Sequence, residues 1–419
     1  MAPRAPKGTR DVLPAEGRVR ARIEAVAAEV LGAGGFGRVV TPTFEETEVF
    51  VRGVGTATDI VRKEMYTFDD RGGRSITLRP EGTAPVARAY AEHGMHKLPQ
   101  PVKLWYLAPM FRYEAPQSGR FREHWQVGAE AFGSEDPLLD AEMIALLADI
   151  YARLDVPGVR LRISSMGDPE GRGPYREKLL AHLSAHEDGL PRDARERMHE
   201  NPLRLFDMKD DAVQAVMADA PRLLDNLTDD ARQHHARVLE ALRLMGIPFE
   251  EDPSLVRGLD YYTRTVFEFT CDVLGAQSGI GGGGRYDGLV ASLGGPDVPG
   301  VGFGTGVERI TLALGEAAAD DAVVDAYLAI PDADIRLELL PVLRGLRASG
   351  LRVEAGTSGK GLKAMMRHAS GLGARHVIII GPREHADGLA TVRDMRTGDQ
   401  VEVPVADIAQ HIGQAEGAR

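Results

Sequence analysis

The segment Met110-Phe-Arg-Tyr-Glu-Ala-Pro-Gln-Ser-Gly-Arg-Phe-Arg-Glu-His-Trp-Gln126 joins two strand-like runs, Lys103 to Tyr106 and Gln126 to Phe132. The polar link between them carries three arginines, one proline and one glycine, and the whole reads as a β-hairpin. An arginine at the end of one strand and a glutamine on the next can hold a phosphate and a polar substrate in fixed geometry, which a mobile loop could not. Taken alone, the segment reads equally well as a plain surface hairpin.

Upstream, Val19, Ile23, Val26 and Val30 recur at helical spacing within Glu16 to Leu31 and predict an amphipathic helix ended by Gly32, Gly34 and Gly35. Gly37 to Thr43 reads as a strand closed by Pro42. Downstream, Asp140 to Leu154 places Met143, Leu147, Ile150 and Leu154 on one helix face. Strands and helices do not alternate regularly, so the expected core is α+β, an antiparallel sheet with flanking helices. From about 167 to 246 the pattern changes to short, charge-rich helical runs, such as Arg192 to Glu200 and Asp229 to Met245, read as a helical insertion. Strand-like sequence resumes at Val266 to Leu274, passes the Gly281 to Gly284 block, and ends in a helix at Val307 to Leu314. Regular alternation begins only then: strand Ala326 to Ile330, helix Ile335 to Ala348, strand Leu351 to Glu354, helix Gly361 to Ser370, strand Val377 to Ile380. The expected division is a first domain over 1–322, insertion included, and a second α/β domain with parallel strands over 323–419.

A chain of 419 residues, 43% apolar and 27% charged, has the make-up of a folded protein with more than one core. Met1 to Gly17 is polar and carries Pro3, Pro6 and Pro14, unlike a secretory signal, and no run is long enough to span a bilayer. Cys271 is the single cysteine, which excludes an intrachain disulfide and a thiolate-rich zinc site, and a reducing cytoplasm is the expected setting. A net charge of −12 argues against a general nucleic-acid binder, yet Arg336 to Arg367 holds seven basic residues against two acidic ones. A solvated helix face also accounts for that window.

Several glycine clusters suggest nucleotide loops and fail. Gly359-Lys360 would need glycine at 354 and Ser or Thr at 361, where Glu354 and Gly361 stand. Gly300, Gly302, Gly304 and Gly306 recur at every second position, so Thr305 occupies the place of a dinucleotide fingerprint's third glycine. His234-His235 lacks metal-ligand spacing and is expected on a solvated helix face.

The hairpin string, together with Gly302-Phe-Gly-Thr-Gly-Val-Glu-Arg309, resembles motifs 2 and 3 of class II aminoacyl-tRNA synthetases, and Pro42 is placed like the proline of motif 1. Leu255-Val-Arg-Gly-Leu-Asp-Tyr-Tyr-Thr-Arg-Thr-Val-Phe-Glu268 and Gly282-Gly-Gly-Arg-Tyr-Asp-Gly-Leu289 resemble the two histidine-specific signatures of the histidyl-tRNA synthetase family. Lys7-Gly-Thr-Arg-Asp-Val-Leu-Pro14 and Arg79-Pro-Glu-Gly-Thr83 fit the same family. The strings stand in the family's order and span essentially the whole chain.

The resemblance implies a histidine–tRNA ligase that forms histidyl-adenylate from histidine and ATP, with Mg2+ accompanying the nucleotide and no dedicated protein site for the metal, and then esterifies the 3′ adenosine of tRNA(His). It implies that Glu81 and Thr83, with Gly82 between them, bind the α-amino group, and that Gln126 reaches toward the carboxylate. Glu130 and Tyr262, with Tyr261 adjacent, would hold the two imidazole nitrogens, one of the two tyrosines facing the core. Arg112 and Arg309 would clamp the ATP phosphates beside Glu114 and Arg120, and Arg257 would contact the α-phosphate, so that Arg257, Arg112 and Gln126 are the expected catalytic groups. The Gly281 to Gly284 block would let backbone approach the substrate, with Tyr286 nearby. Gln117, Arg120 and Arg122 are the expected readers of the tRNA acceptor end, and Ala115 stands where an arginine is often found. The second domain resembles the anticodon-binding domain of class II synthetases, and a homodimer is implied by motif 1. The regulatory subunit of ATP phosphoribosyltransferase, which shares the core, is the nearest rival, but it lacks that second domain; an interaction protein that kept the fold is the other.

Overall fold

Pro14 opens helix α1 (Pro14–Ala33), where a residue without a backbone N–H and with a preset φ suits the first turn. Val19, Ile23, Ala27, Val30 and Leu31 bury one side of it. The computed structural model of the chain describes residues 3–55, 58, 60–114, 119–256, 259, 261–275, 278–315, 324–356 and 360–417. After α1 the strand β1 (Gly37–Arg38) is shorter than the expected Gly37 to Thr43. Val39 still donates to the Trp105 carbonyl at 2.8 Å, but the carbonyls of Thr41 and Pro42 turn to the Arg79 guanidinium at 3.0 and 3.2 Å. Strands β2 (Phe44–Glu46), β3 (Tyr66–Asp69) and β4 (Ser75–Leu78), with helix α2 (Thr47–Val54) after β2, form a small antiparallel sheet ordered β2-β4-β3. Sequence periodicity missed it because runs of three or four residues barely register an alternation.

Helix α3 (Thr83–Glu92) leads to the hairpin itself, β5 (Val102–Phe111) and β6 (Glu123–Phe132), paired antiparallel from Val102 opposite Phe132 to Phe111 opposite Glu123. Helix α4 (Pro137–Arg153) starts where the Asp136 carboxylate accepts from the Leu138 N–H at 2.9 Å. Strand β7 (Val159–Ser165) precedes four helices, α5 (Pro169–Ala185), α6 (Arg192–Glu200), α7 (Asp211–Ala218) and α8 (Asp229–Leu244). They enclose an apolar cluster of their own around Tyr175, Leu179, Leu183, Val213 and Met217. Asp168 caps α5 through the Gly171 N–H at 2.8 Å and accepts from the hydroxyl of Thr228, which caps α8, so the two ends of this region are clasped together.

His234 and His235 are buried on α8, against the solvated face expected from sequence. The helix is covered both by α4 and by the main sheet, so it has little free face at that level. His234 Nε2 lies 2.8 Å from Asp140, and burial lowers the pKa of His235 to about 4.

Strands β8 (Glu250–Glu251), β9 (Thr263–Cys271), β10 (Gly279–Arg285) and β11 (Gly300–Gly306) complete the main sheet, with a short helix α9 (Leu289–Ser292) before β11 and α10 (Val307–Leu314) after it. The eight strands run β1-β5-β6-β11-β10-β9-β7-β8; the six from β5 to β7 are mutually antiparallel and each edge pair is parallel.

The chain divides into two compact units, 1–318 and 319–419. The second contains β12 (Ala326–Ala329), α11 (Leu340–Ala348), β13 (Val353–Ala355), α12 (Leu362–Gly371), β14 (His376–Ile379), α13 (Pro382–Asp387), β15 (Leu389–Asp394), β16 (Gln400–Pro404) and α14 (Ile408–Gly417). Its sheet is ordered β13-β12-β14-β15-β16. The first three strands are parallel, as expected, while β15 and β16 add antiparallel pairings that the sequence reading did not include. Helix α11 starts at Leu340, not Ile335, because Pro341 fits only a first turn and cannot donate to an earlier carbonyl.

Candidate active site

Successive side chains on a strand point to opposite faces, so the glycines at every second position of β11 leave one face bare. Gly302, Gly304 and Gly306 pair with Glu130, Gly128 and Gln126 of β6 on one side, and Gly304 and Gly302 pair with Gly282 and Gly284 of β10 on the other. The result is a floor of backbone in mid-sheet. Gln126 and Glu130 rise from it on the same face, roughly 13 Å apart along the strand. The spacing that failed as a nucleotide loop is therefore the signature of this floor, a signal present in the sequence and read only for what it was not.

At one end sits Glu130, fully buried. Its Oε1 accepts from the Thr83 hydroxyl at 2.8 Å and the Tyr106 hydroxyl at 3.3 Å, and its Oε2 from the Tyr286 hydroxyl at 2.5 Å. Burial pushes the Glu130 carboxyl up to about 8, offset in part by those hydroxyl bonds. Space here is made by missing side chains: a Cβ on Gly302 would lie 1.7 Å from Glu130 Oε2, and one on Gly128 would lie 2.2 Å from the Tyr106 ring. Tyr106 was not anticipated; its signal was the glycine directly across the hairpin, Gly128. Tyr286, expected nearby, is in direct contact.

Glu81 is buried beside this group and accepts the Thr83 and Ala84 N–H groups at 2.7 and 2.9 Å, at the start of α3. Burial raises its carboxyl above the usual range, with those N–H bonds and Arg112 pulling the other way. Gly82 packs under Tyr106, whose ring would be 2.3 Å from a Cβ there. Tyr261 and Tyr262 precede β9, so the strand alternation expected of them does not apply. Their ring centroids are 4.8 Å apart; Tyr261 also meets Tyr286 edge to face at 5.7 Å, and Tyr262 is buried against Gly284.

At the other end a cleft of about 400 Å³ is lined by Arg112, Glu114, Arg120, Gln126 and Arg309, which gathers the expected phosphate-binding residues in one place. Arg112 donates Nε to the Pro80 carbonyl at 2.7 Å, and Arg309 donates Nε to the Gly279 carbonyl, so both guanidiniums are anchored by their inner nitrogen. Glu114 bridges Arg112 and Arg120 at 3.8 and 3.5 Å. His124, Glu64, Glu268 and Arg204 also line the cleft and were not singled out from sequence. Burial and the charges of Arg112 and Arg120 lower His124 to about 3, which keeps it neutral. Arg122 is held by the Tyr113 ring, 3.7 Å from the centroid, and by the Glu114 carbonyl at 3.3 Å. Arg257, Gln117 and Ala115 lie outside the described residues.

Residues 8–167 and 177–310 match the family described as histidyl-tRNA synthetase. The chain belongs to that family. Residues 326–414 match the family described as anticodon binding domain. The chain is 46% identical to the histidine–tRNA ligase of Halothermothrix orenii, covering 98% of this chain and 99% of that one. It is 48% identical to the histidine–tRNA ligase of Moorella thermoacetica, covering 97% of each. Among solved structures, the apo histidyl-tRNA synthetase of S. aureus superposes with a TM-score of 0.81 at 34% identity, covering 98% of this chain and all of that one.

Behind the floor, on the opposite face, Arg285 and Asp140 form a fully buried pair at 2.5 Å, joined by His234. Arg285 also donates to the Ser134 carbonyl at 2.9 Å and to Asp287 at 3.2 Å. The pair, one residue before Tyr286 in the chain, ties β10, α4 and α8 together. In the second unit, Arg352 is committed to Asp325 at 2.7 Å and Arg347 to the Val353 carbonyl at 2.9 Å, whereas Lys360 and Arg367 line a shallow groove on α12.

Proposed function

We infer that the chain is a histidine–tRNA ligase, and that the glycine floor holds histidine at its Glu130 end and ATP at its arginine end. The observation that carries this reading is Glu130: a buried carboxyl whose pKa is raised to about 8, ringed by hydroxyls and adjoining a cleft of arginines. An imidazole N–H adds a donor that favours the ionised form of this carboxyl, so histidine binding draws its proton off, and a second polar group, Tyr262 or another hydroxyl of the ring, fixes the opposite nitrogen and hence the tautomer. Amino acids that bring no such N–H to the buried carboxyl forgo that bond and are bound less tightly.

With the ring so placed, Glu81 and Thr83 take the α-ammonium, and the histidine carboxylate points along β6 toward Gln126. A carboxylate oxygen attacks the α-phosphorus of ATP; the bond to the bridging oxygen breaks and pyrophosphate leaves. Arg112 and Arg309, preset by their bonds to backbone carbonyls, meet the charge that develops on the phosphates, and Arg257 is assigned to the α-phosphate. Magnesium, bound chiefly by phosphate oxygens, would share that charge; the carboxylate of Glu268 in the same cleft fits one protein ligand. In the second step a hydroxyl of the terminal adenosine attacks the histidyl carbonyl and AMP departs. The acceptor end of tRNA(His) is assigned to Gln117, Arg120 and Arg122, and the anticodon to the second unit, where the Lys360 and Arg367 groove offers cations. A cytoplasmic setting agrees with this reading, since ATP and tRNA are its substrates. A homodimer agrees with the exposed apolar side chains Val40, Phe44 and Phe68 around the small sheet.

ATP–pyrophosphate exchange with each amino acid separately, without tRNA, tests the reading. Exchange with histidine alone is expected; none, from folded protein with magnesium present, would turn the reading toward a binding or regulatory protein.

A further inference from the structure

The helical insertion reaches the ATP end of the cleft. Between α6 and α7 the 3-10 stretch Pro202–Asp207 forms a seam: Leu203 packs both against the insertion's own cluster and against the apolar cluster that contains Tyr106, Tyr262 and Tyr286. Its neighbour Arg204 lines the 400 Å³ cleft together with Arg112, Arg120 and Arg309, and also lines an adjoining, larger cleft of about 640 Å³. One turn away, at the end of α6, Glu200 makes a two-pronged pair with Arg62, each N–O distance 2.9 Å. Arg62 lies in the π-helical turn Ile60–Glu64, whose Ile60 and Glu64 line the same ATP-side cleft. The Glu64 carbonyl accepts from the Tyr113 N–H at 2.8 Å, which links this turn to the hairpin carrying Arg112.

We propose that the insertion completes the triphosphate subsite: Arg204 delivers a fourth guanidinium to the β- and γ-phosphates of ATP, and the Arg62–Glu200 pair, with Leu203, holds the insertion where that delivery is made. This deepens the reading of the cleft as an ATP site and rests on it. Three arginines come from the β5–β6 connection and α10 of the core; the fourth comes from a separate helical layer, so the insertion's docking and the affinity for the nucleotide are coupled. A fork of planar donors suits polyphosphate better than a point charge does, which is why arginine at this position matters.

The test is the ATP dependence of histidine-driven pyrophosphate exchange without tRNA, with folding checked by thermal melting. Arg204→Ala should raise KM for ATP about tenfold to a hundredfold, the cost of one charge-assisted contact, and leave KM for histidine within about twofold. Arg204→Lys should recover part of the loss. Glu200→Arg, which sets like charges face to face with Arg62, should raise KM for ATP about threefold to tenfold, and the exchanged pair Arg62→Glu with Glu200→Arg should restore it, a rescue that a merely disordered variant would not show. Normal ATP dependence in Arg204→Ala, with the unaltered chain active, overturns the proposal alone. So does a defect confined to KM for tRNA in the full aminoacylation reaction, which would give Arg204 to an RNA phosphate. Absence of exchange in the unaltered chain overturns the ATP reading and this proposal together.

Discussion

Replacing Glu130 by glutamine should make the protein more stable and less selective at once. In the unfolded chain a glutamate carboxyl titrates near 4.5, and in the folded chain burial holds Glu130 near 8. Below pH 4.5 both states are protonated and the fold bears no penalty. From there to pH 8 folding must take up a proton, so stability falls by about 1.4 kcal/mol per pH unit, and above pH 8 the full cost is carried. At pH 7 that amounts to about 3 kcal/mol, which Glu130→Gln removes because an amide is neutral in both states. Part of the gain is offset where the amide nitrogen faces hydroxyls that now donate to the carboxyl, about 1 kcal/mol for each bond that cannot be re-made. The chain's two tryptophans, Trp105 and Trp125, lie on β5 and β6, so urea melts followed by their fluorescence report on this sheet. The difference between variant and parent should be smallest near pH 5 and grow steadily toward pH 8. A difference independent of pH would refute the account of a buried, protonated carboxyl. The second arm is catalytic: KM for histidine in exchange should rise by about tenfold to a hundredfold, as expected for losing a charge-assisted bond to the ring. Unchanged KM and unchanged selectivity would show that the imidazole is read elsewhere.

Three other outcomes are expected of the proposed site and its support. Gly302→Ala, whose methyl would lie 1.7 Å from Glu130 Oε2, should lower kcat/KM for histidine by more than about a hundredfold, and activity near the parent's would mean that the floor is not the histidine site. Arg257→Ala should cut single-turnover adenylate formation far more than the calorimetric affinity for histidine, since its assigned partner is the α-phosphate; equal losses would remove that assignment. Asp140→Asn should destabilise the sheet by up to about 3–5 kcal/mol, because the buried Arg285 then keeps only the partly exposed Asp287 as a counter-charge, and pairing it with Arg285→Met should recover part of the loss in the same urea melts; a loss under about 1 kcal/mol would mean that Asp287 alone suffices for Arg285.

Residues with long, regular periodicity were legible, and those whose role is set by what is absent beside them were not. Helices α4 and α10 declared themselves because a buried stripe recurs at helical spacing, and the hairpin because strand-like runs at Lys103 to Tyr106 and Gln126 to Phe132 flank a polar link with proline and glycine, although β5 runs on to Phe111. The small sheet of β2, β3 and β4 did not, each strand being too short to carry a pattern, and β15 and β16 lay past the last alternation read. His234 was misplaced for a different reason: a helix with polar residues on the face in question reads as solvated unless the partner is known, and Asp140, 94 residues earlier, is that partner. Within the candidate site, the polar members Arg112, Gln126, Glu130 and Arg309 were visible because strings of sequence frame them, whereas Tyr106 and Arg204 needed three dimensions. Tyr106 faces Glu130 only because Gly82 and Gly128 both lack a side chain, and no single strand contains that fact. Arg204 lies in a helical layer whose own periodicity points to its own core, and only the seam at Leu203 shows that the layer also packs against the cluster that contains Tyr106 and Tyr286. Sequence thus discloses groups framed by a local string, on a strand or on α10 alike, and conceals those such as Tyr106 and Arg204 whose surroundings come from segments distant in the chain. If the insertion does carry part of the ATP site, the enzyme's affinity for its nucleotide depends on a packing contact that no catalytic motif contains.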